Sequence, residues 1–220
     1  RPMVCEILKP IYGMAQSGRR WQRSLFPWML EQGFSHVEGD PCLFEKRGKV
    51  VVDGIERQER LVIGVYVDDL AVLYSHDDSH SLYSQFVSML QADWKAEDEG
   101  ELSDLLGIEF SREPGVVKLS QSSYIDKLVD DFFPSGVPSH YQRNQRPFDD
   151  ELEGHVARAL STMEPPDEIL LKSYQQLVGS LLYLATNTRP DVAYTVGMLC
   201  RCMGKPSDEL LDACLLYTSD

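Results

Sequence analysis

Two adjacent carboxylates, Asp68 and Asp69, are the side chains of this sequence best suited to metal chemistry. Carboxylate oxygens are preferred ligands of hard cations such as Mg²⁺. Two such ions, about 3.5–4 Å apart, can activate an attacking oxygen and stabilise the leaving group of an in-line phosphoryl transfer. Neighbouring carboxylates repel each other, so a bound cation would stabilise the pair. The spacing predicts part of a two-metal site, although two polar turn residues would give the same pattern.

The apolar residues on either side of the pair predict how the carboxylates are held. Residues 61–67 and 70–74 are nearly continuous apolar runs, and only the two acids separate them. Two apolar strands with so short a connection form a tight β-hairpin. We therefore expect a loop made of Asp68 and Asp69 between rigid, buried strands. Tyr66 lies two residues before Asp68, so these two side chains should share one face of the strand.

Further helices and strands are expected around this hairpin. Apolar residues at helical spacing predict a helix over 17–32, which Pro27 should kink or interrupt and Gly33 should end. A strand pair is expected over 42–52, turning at Gly48. The pattern also predicts a helix over 79–94, a hairpin of 105–111 with 116–119 that turns at Pro114 and Gly115, and helices over 121–133, 174–186 and 192–203.

Residues 134–168 have few periodic apolar positions, many charges and five prolines. This composition predicts a linker or a long surface loop. The elements before and after it mix strands and helices, which favours an α+β fold. The expected organisation is therefore a first part over 1–133, the linker or loop over 134–168, and a helical part over 169–220.

Composition limits the classes of protein that fit. The net charge of −14 is unfavourable for binding nucleic acid, because phosphate contacts use Lys and Arg. Basic clusters at residues 19–23 and 46–49 make the first sixty residues the expected contact region. The five scattered cysteines favour reduced intracellular thiols over a disulfide framework. No run of about 18 apolar residues occurs, so no transmembrane helix is expected.

Six short blocks follow one another in the order of a known family's motifs. They are KPIYGMAQSGRRW at 9–21, GF at 33–34 with DPCLF at 40–44, YVDD at 66–69, GEL at 100–102 with LGIE at 106–109, SQSSYI at 120–125, and GSLLYL at 179–184 with TRPD at 188–191. In these blocks the chain resembles the copia-type (Pseudoviridae-like) LTR retrotransposon reverse transcriptases. Ala15 departs from the pattern, because the family usually has Lys there and one expected phosphate contact is lost.

The resemblance implies roles for individual residues. Asp68 would be the main metal ligand of the hairpin, with Asp69 beside it as the second catalytic and metal-binding carboxylate. The remaining implied residues bind nucleotide or primer (Tyr66, Gly13, Gln16 and Arg19) or form the primer grip (Leu106 and Gly107).

Structural roles stay open for several residues of these blocks. Gly13 would also suit a turn, Gln16 a helix cap and Gly107 a strand kink. Trp21 fits core packing better than a nucleotide platform. Arg189-Pro190-Asp191 fits the start of a helix.

The resemblance also implies the wider setting of the chain. The first part would be a palm and fingers sheet with flanking helices and the start of the thumb, and the last part a mostly helical thumb or connection region. The intact parent would be an RNA-directed DNA polymerase that uses Mg²⁺ or Mn²⁺, deoxynucleoside triphosphates and an RNA or DNA template with primer. Integrase would lie upstream and ribonuclease H downstream, with no membrane partner. The location would be intracellular, in a cytoplasmic virus-like particle with a nuclear phase.

One family residue has no counterpart in this sequence. The first catalytic Asp of the family lies upstream of the block that contains Tyr12 and Gly13, and Asp40 and Asp53 are poor substitutes for it. We therefore expect these 220 residues by themselves to be inactive. The alternatives are a non-catalytic nucleic-acid-binding remnant of a decayed element, and an acidic interaction domain.

Overall fold

The computed structural model describes Met14 and residues 17–138, 151–163 and 165–215. The described residues form two compact units, one up to Gly100 and the other from Glu101 onwards. Each unit has its own hydrophobic cluster. Both combine helices with an antiparallel sheet, which confirms the expected α+β class at this level. No helix in the described ranges has the length and apolar character needed to cross a membrane.

The first unit is a four-stranded antiparallel sheet accompanied by two helices. The strands are paired in chain order, so each strand forms a hairpin with the next. The elements are α1 (Ser17–Glu31), β1 (Ser35–Val37), β2 (Asp40–Val52), β3 (Ile55–Tyr66), β4 (Asp69–Tyr74) and α2 (Leu82–Trp94).

One face of this sheet is buried together with both helices. Leu61, Ile63 and Val65 are buried and alternate with more exposed residues, as expected for a strand with one face in the core. The expected one-sided helix faces are confirmed, because both helices contribute to the same cluster as β3. Its other buried members are Leu25, Met29, Phe34, Phe44, Val50, Leu82 and Phe86.

The expected helix over 17–32 is confirmed as α1, and of the two effects expected at Pro27, a kink or an interruption, the interruption does not occur. Pro27 lies inside a continuous helix, where it removes one backbone hydrogen bond at a cost of about 3 kcal/mol. Leu25 and Met29 lie on either side of it and are fully buried, so burial of this helix face offsets the loss. Gly33 has a φ of 83° and follows the end of the helix, as expected.

The predicted strand pair over 42–52 is wrong, because β2 runs through Gly48 without a turn. The hairpin turns instead at Asp53 and Gly54, whose φ values of 52° and 77° suit a two-residue type I′ loop. Gly48 has a different role. A Cβ added there would lie 3.3 Å from the Leu82 side chain, so the glycine allows α2 to pack closely against β2.

The second unit combines a small sheet with a helical core. The sheet pairs β5 with β6 and β6 with β7, and the expected turn at Pro114 and Gly115 is confirmed. Tyr174 is fully buried and donates a hydrogen bond to the Leu199 carbonyl at 2.8 Å. The elements are β5 (Asp104–Leu105), β6 (Ile108–Glu113), β7 (Val116–Ser120), α3 (Ser122–Phe132), α4 (Leu152–Ser161), α5 (Glu168–Asn187), a 3-10 helix (Pro190–Val192), α6 (Ala193–Cys200) and α7 (Asp208–Leu215).

The predicted linker or loop over 134–168 is wrong for the residues of α4. Leu152, Val156 and Ala159 are buried at helical spacing in the core of the second unit. The apolar residues of this ten-residue helix include two alanines, and their periodicity is too weak to stand out beside nearby prolines and charges. The functional division into 1–133, 134–168 and 169–220 stays a prediction.

Candidate active site at the hairpin tip

The predicted hairpin is confirmed, but its loop is shifted by one residue. β3 ends at Tyr66 and β4 begins at Asp69, and these two residues are paired across the ladder. The loop therefore consists of Val67 and Asp68, and the expected Asp68–Asp69 loop is wrong. The expectation that Tyr66 and Asp68 share one face of a strand is therefore wrong as well. The residue beside Tyr66 on its face of the sheet is its cross-strand partner, Asp69.

The buried side chains of the two strands explain this register. In β4, Leu70 is paired with Val65 and Val72 with Ile63. These residues belong to the core cluster or pack against it. A slip of one residue would move the apolar side chains of β4 to the opposite face of the sheet. The core therefore fixes the register, and the register places Asp68 in the loop and Asp69 at the first position of β4.

Val67 has a conformation that β-branched residues rarely adopt. Its φ is 51°, and Asp68, the other loop residue, does not share this positive φ. A positive φ at only the first loop position is typical of a type II′ turn, where glycine is favoured. Such conformations cost about 1–3 kcal/mol and persist where the surrounding structure determines them. They cluster at functional sites, which makes this turn a candidate site.

The tip of the hairpin is open to solvent. Tyr66 and Val67 are each 52% exposed, and Asp68 and Asp69 are also exposed. The strands below the tip are anchored in the core, so two carboxylates lie at a rigid position that a large ligand can reach.

Trp21 of α1 contacts the loop directly. Its indole Nε1–H donates a hydrogen bond to the Val67 carbonyl at 2.5 Å, across 46 positions of the chain. The Trp21 ring packs edge-on against Trp94, with centroids 5.1 Å apart. Trp94 in turn packs edge-on against Trp28 at 6.0 Å. The sequence predicted only a core role for Trp21, because no local pattern shows contact with a turn so far along the chain.

A cleft of about 830 Å³ lies between the start of α1 and the hairpin loop. Trp21 and Trp94 contribute aromatic surface to it, Arg20 and Arg23 contribute positive charge, and Asp68 contributes a carboxylate. The buried indole N–H of Trp94 has no hydrogen-bond partner among the described residues. The cleft therefore combines aromatic surface, positive charge and an acidic residue beside the hairpin loop.

Helix α2, which carries Trp94, is fixed at its start by buried charge. Glu59 is 4% exposed, and its carboxylate accepts a hydrogen bond from the Leu82 N–H at 2.7 Å. Arg57 bridges Glu59 and Asp78. Hydrogen bonds from the His80 backbone N–H and from Arg57 hold the pKa of Asp78 below its usual value. These contacts satisfy donors at the first turn of α2 and fix the position of the helix.

Of the expected nucleotide-binding residues, Tyr66 and Arg19 lie in the described part of the chain. Gly13 and Gln16 lie outside the described residues. Arg19 is exposed in the first turn of α1, but Arg20 and Arg23 are the arginines that line the cleft. None of these three arginines forms an ion pair within the described ranges.

The expected primer-grip residues, Leu106 and Gly107, form the loop between β5 and β6 in the second unit. Their φ values are 57° and 72°, as in a type I′ turn. The Tyr183 hydroxyl of α5 donates a hydrogen bond to the Leu106 carbonyl. Tyr183 also packs edge-on against Tyr124 of α3, so two helices hold this loop.

Comparison with known families identifies the chain. The family described as reverse transcriptase (RNA-dependent DNA polymerase) matches residues 2–141, which include the hairpin, α1 and α2. The chain belongs to the reverse transcriptase family. The resemblance to copia-type retrotransposon enzymes is thereby confirmed, whereas the role of each residue at the hairpin tip stays a prediction.

Several curated relatives of this reverse transcriptase chain are much longer proteins. It is 27% identical over 96% of its length to the retrovirus-related Pol polyprotein from transposon TNT 1-94 of Nicotiana tabacum. It is 33% identical over 96% of its length to the corresponding polyprotein from transposon RE1 of Arabidopsis thaliana. The chain spans 15% of the first and 13% of the second. No solved structure matches it significantly.

Proposed function

We propose that this chain supplies the YVDD part of the active site of an RNA-directed DNA polymerase. The observation that carries the proposal is the pair Asp68 and Asp69 at the exposed, core-anchored tip of a hairpin, in a chain of the reverse transcriptase family. The reaction is the attack of a primer 3′ oxygen on a deoxynucleoside triphosphate, with release of pyrophosphate. Positioning and charge stabilisation account for most of the catalysis in such transfers.

The residues at the tip suit Mg²⁺ or Mn²⁺. Carboxylates are hard oxygen donors, and both are accessible at a position that the β3–β4 register fixes. Asp68 and Asp69 would hold the metal, with Asp68 as the main ligand. When bound, the metal would lower the charge on the reacting phosphate and acidify the attacking hydroxyl. The protein's own contribution is to orient the carboxylates before substrate arrives.

Within this proposal residues 1–133, which include the sheet and helices of the first unit, would form palm and fingers with the start of the thumb. Leu106 and Gly107 would grip the primer. Residues 169–220 would form the thumb or connection region.

The partners follow from the same proposal. They are an RNA or DNA template with its primer and deoxynucleoside triphosphates, together with integrase upstream and ribonuclease H downstream in one polyprotein. The polyprotein would be located in a cytoplasmic virus-like particle, with a nuclear phase.

The distribution of basic residues points to α1 as the nucleic-acid contact in the first unit. In the second basic cluster, Arg47 pairs with Glu45 and Lys49 with Glu56. The arginines of α1 are exposed and form no such pairs among the described residues, and two of them line the cleft beside Asp68. We therefore expect phosphate contacts at α1, which would offset part of the net charge of −14.

Primer extension tests the proposal. A longer polypeptide that carries this chain with its flanking polyprotein residues should extend a DNA primer on an RNA template, and chelation of divalent cations should stop it. The 220-residue chain alone should bind primer–template weakly at low salt and should not extend it. Template binding without extension by the longer polypeptide would favour the non-catalytic remnant. Absence of both binding and extension would favour the acidic interaction domain.

Tyr66 provides a second prediction. Its side chain is 52% exposed, so Tyr66→Ala should change the melting temperature by no more than a few degrees. Tyr66 is the cross-strand neighbour of Asp69, and in this proposal it would contact the incoming nucleotide. The variant should raise the nucleotide KM or lower fidelity in the longer polypeptide. A large fall in melting temperature with unchanged KM and fidelity would show a core role instead.

A further inference from the structure

The carbonyl of Val67 lies in the hairpin loop, directly before Asp68. It belongs to the peptide group that joins Val67 to Asp68, and a peptide group is planar. A contact that fixes this oxygen therefore fixes the plane from which the Asp68 Cα and its side chain project. The orientation of Asp68 depends on the contact that this carbonyl makes.

The turn needs such a contact, because its backbone is strained. Val67 has a φ of 51° and no glycine to relieve it. Its side chain is half exposed, so packing of that side chain can supply only part of the restraint. The described contact that reaches the Val67 carbonyl is the 2.5 Å hydrogen bond from Trp21 Nε1.

We propose that Trp21 is a positioning residue, which orients Asp68 for nucleotide addition through its hydrogen bond to the Val67 carbonyl. The inference rests on the proposed polymerase function. Trp21 contacts neither substrate nor the reacting atoms in this role. It acts through the peptide group before Asp68, and it needs its N–H rather than only its aromatic volume.

The packing around Trp21 supports this role. The Trp21 indole is held edge-on by Trp94, and Trp94 by Trp28, so its direction is set by neighbours on two helices. The indole N–H of Trp28 donates its hydrogen bond to a different acceptor, the Asp93 carboxylate, at 2.8 Å. Functional groups need this kind of rigid support from the residues behind them. Trp28 therefore offers a matched control in the same aromatic cluster.

The second unit repeats the arrangement independently. Leu106 is another apolar residue with positive φ in a two-residue hairpin loop, and its carbonyl also accepts a hydrogen bond from an aromatic side chain on a helix, Tyr183. Of the four non-glycine residues with positive φ in the described ranges, these are the two that are apolar. An aromatic donor on the strained carbonyl thus holds both loops.

The test compares Trp21→Phe with Trp28→Phe in the longer polypeptide. Both variants keep an aromatic ring and lose one indole N–H, so both should lower the melting temperature by a similar, small amount. Trp21→Phe should lower kcat for nucleotide addition by about 10- to 100-fold, the effect of a small misplacement of a reacting group. It should also raise the Mg²⁺ concentration for half-maximal rate several-fold, with primer–template affinity unchanged. Trp28→Phe should leave kcat and the Mg²⁺ dependence within about twofold.

Equal effects of the two substitutions on kcat and on Mg²⁺ dependence would overturn the proposal. A second measurement does not depend on activity. In ¹⁵N spectra of the 220-residue chain, the three tryptophans give three indole signals, and Trp21→Phe identifies the one from Trp21. Its N–H should exchange with solvent more slowly than a free indole, and exchange at the free rate would also overturn the proposal. A wild-type polypeptide that extends no primer would refute the polymerase function, whereas the spectra would still decide whether Trp21 holds the turn.

Discussion

Asp68→Asn should reduce nucleotide addition by the longer polypeptide at least about 100-fold. The substitution keeps the size of the side chain but removes the negative charge that would hold the metal. A metal ion supplies several kcal/mol of charge stabilisation in such reactions, and about 1.4 kcal/mol corresponds to a factor of ten in rate. Asp68 is exposed, so the melting temperature should change little. Single-turnover primer extension with saturating nucleotide measures the effect.

Another two-residue loop of the same sheet, Asp53 and Gly54, provides a matched control. Asp53 is also an exposed aspartate in a hairpin loop, and asparagine tolerates its φ of 52°. Asp53→Asn should leave the rate within about twofold. Near-normal extension by Asp68→Asn would refute the assignment of Asp68. If the 220-residue chain alone extended primer and Asp68→Asn abolished this, another acid within the chain, such as Asp40 or Asp53, would complete the site.

Phe44→Ala should destabilise the first unit by about 3–5 kcal/mol, the usual cost of truncating a buried aromatic residue. Phe44 is fully buried in β2, and its ring packs against Phe26 at 5.1 Å and His36 at 4.5 Å. The cavity would lie in the core cluster that fixes the register of the β3–β4 hairpin. Urea unfolding, followed by tryptophan fluorescence, reports on this unit, because Trp21, Trp28 and Trp94 all belong to it.

Val51→Ala tests whether burial rather than strand position causes this loss. Val51 lies in the same strand as Phe44 but is 60% exposed. Its truncation should change the free energy of unfolding by no more than about 0.5 kcal/mol. Comparable losses for the two variants would contradict the core described for this unit.

Local pattern was enough to predict the type of most elements. Apolar spacing predicted α1, α2 and α3, because each helix has buried or partly buried apolar residues three and four positions apart. Two apolar runs around Asp68 and Asp69 predicted a hairpin with carboxylates at its tip. The sequence blocks predicted the reverse transcriptase family, which the comparisons confirmed over residues 2–141.

Two of the errors, at Gly48 and at Pro27, have the same physical origin, because both depended on packing against residues distant in the chain. The apolar strand at 42–52 did not turn at Gly48, because that glycine lies against Leu82 of α2 and the turn residues are Asp53 and Gly54. Pro27 did not interrupt α1, since burial of Leu25 and Met29 outweighs one missing hydrogen bond. Neither contact is visible in a window of neighbouring residues.

The sequence by itself determined the family, the hairpin and the presence of two carboxylates at its tip, because these depend on residue types and short spacings. Only the tertiary structure decided the register of the hairpin, which places Val67 and Asp68 in the loop and Asp69 in β4. The core fixes this register, since a one-residue slip would bring the apolar side chains of β4 out of it. The tertiary structure also brought Trp21 to the Val67 carbonyl across 46 positions of the chain, a contact that exists only after both α1 and β3 pack on the same core.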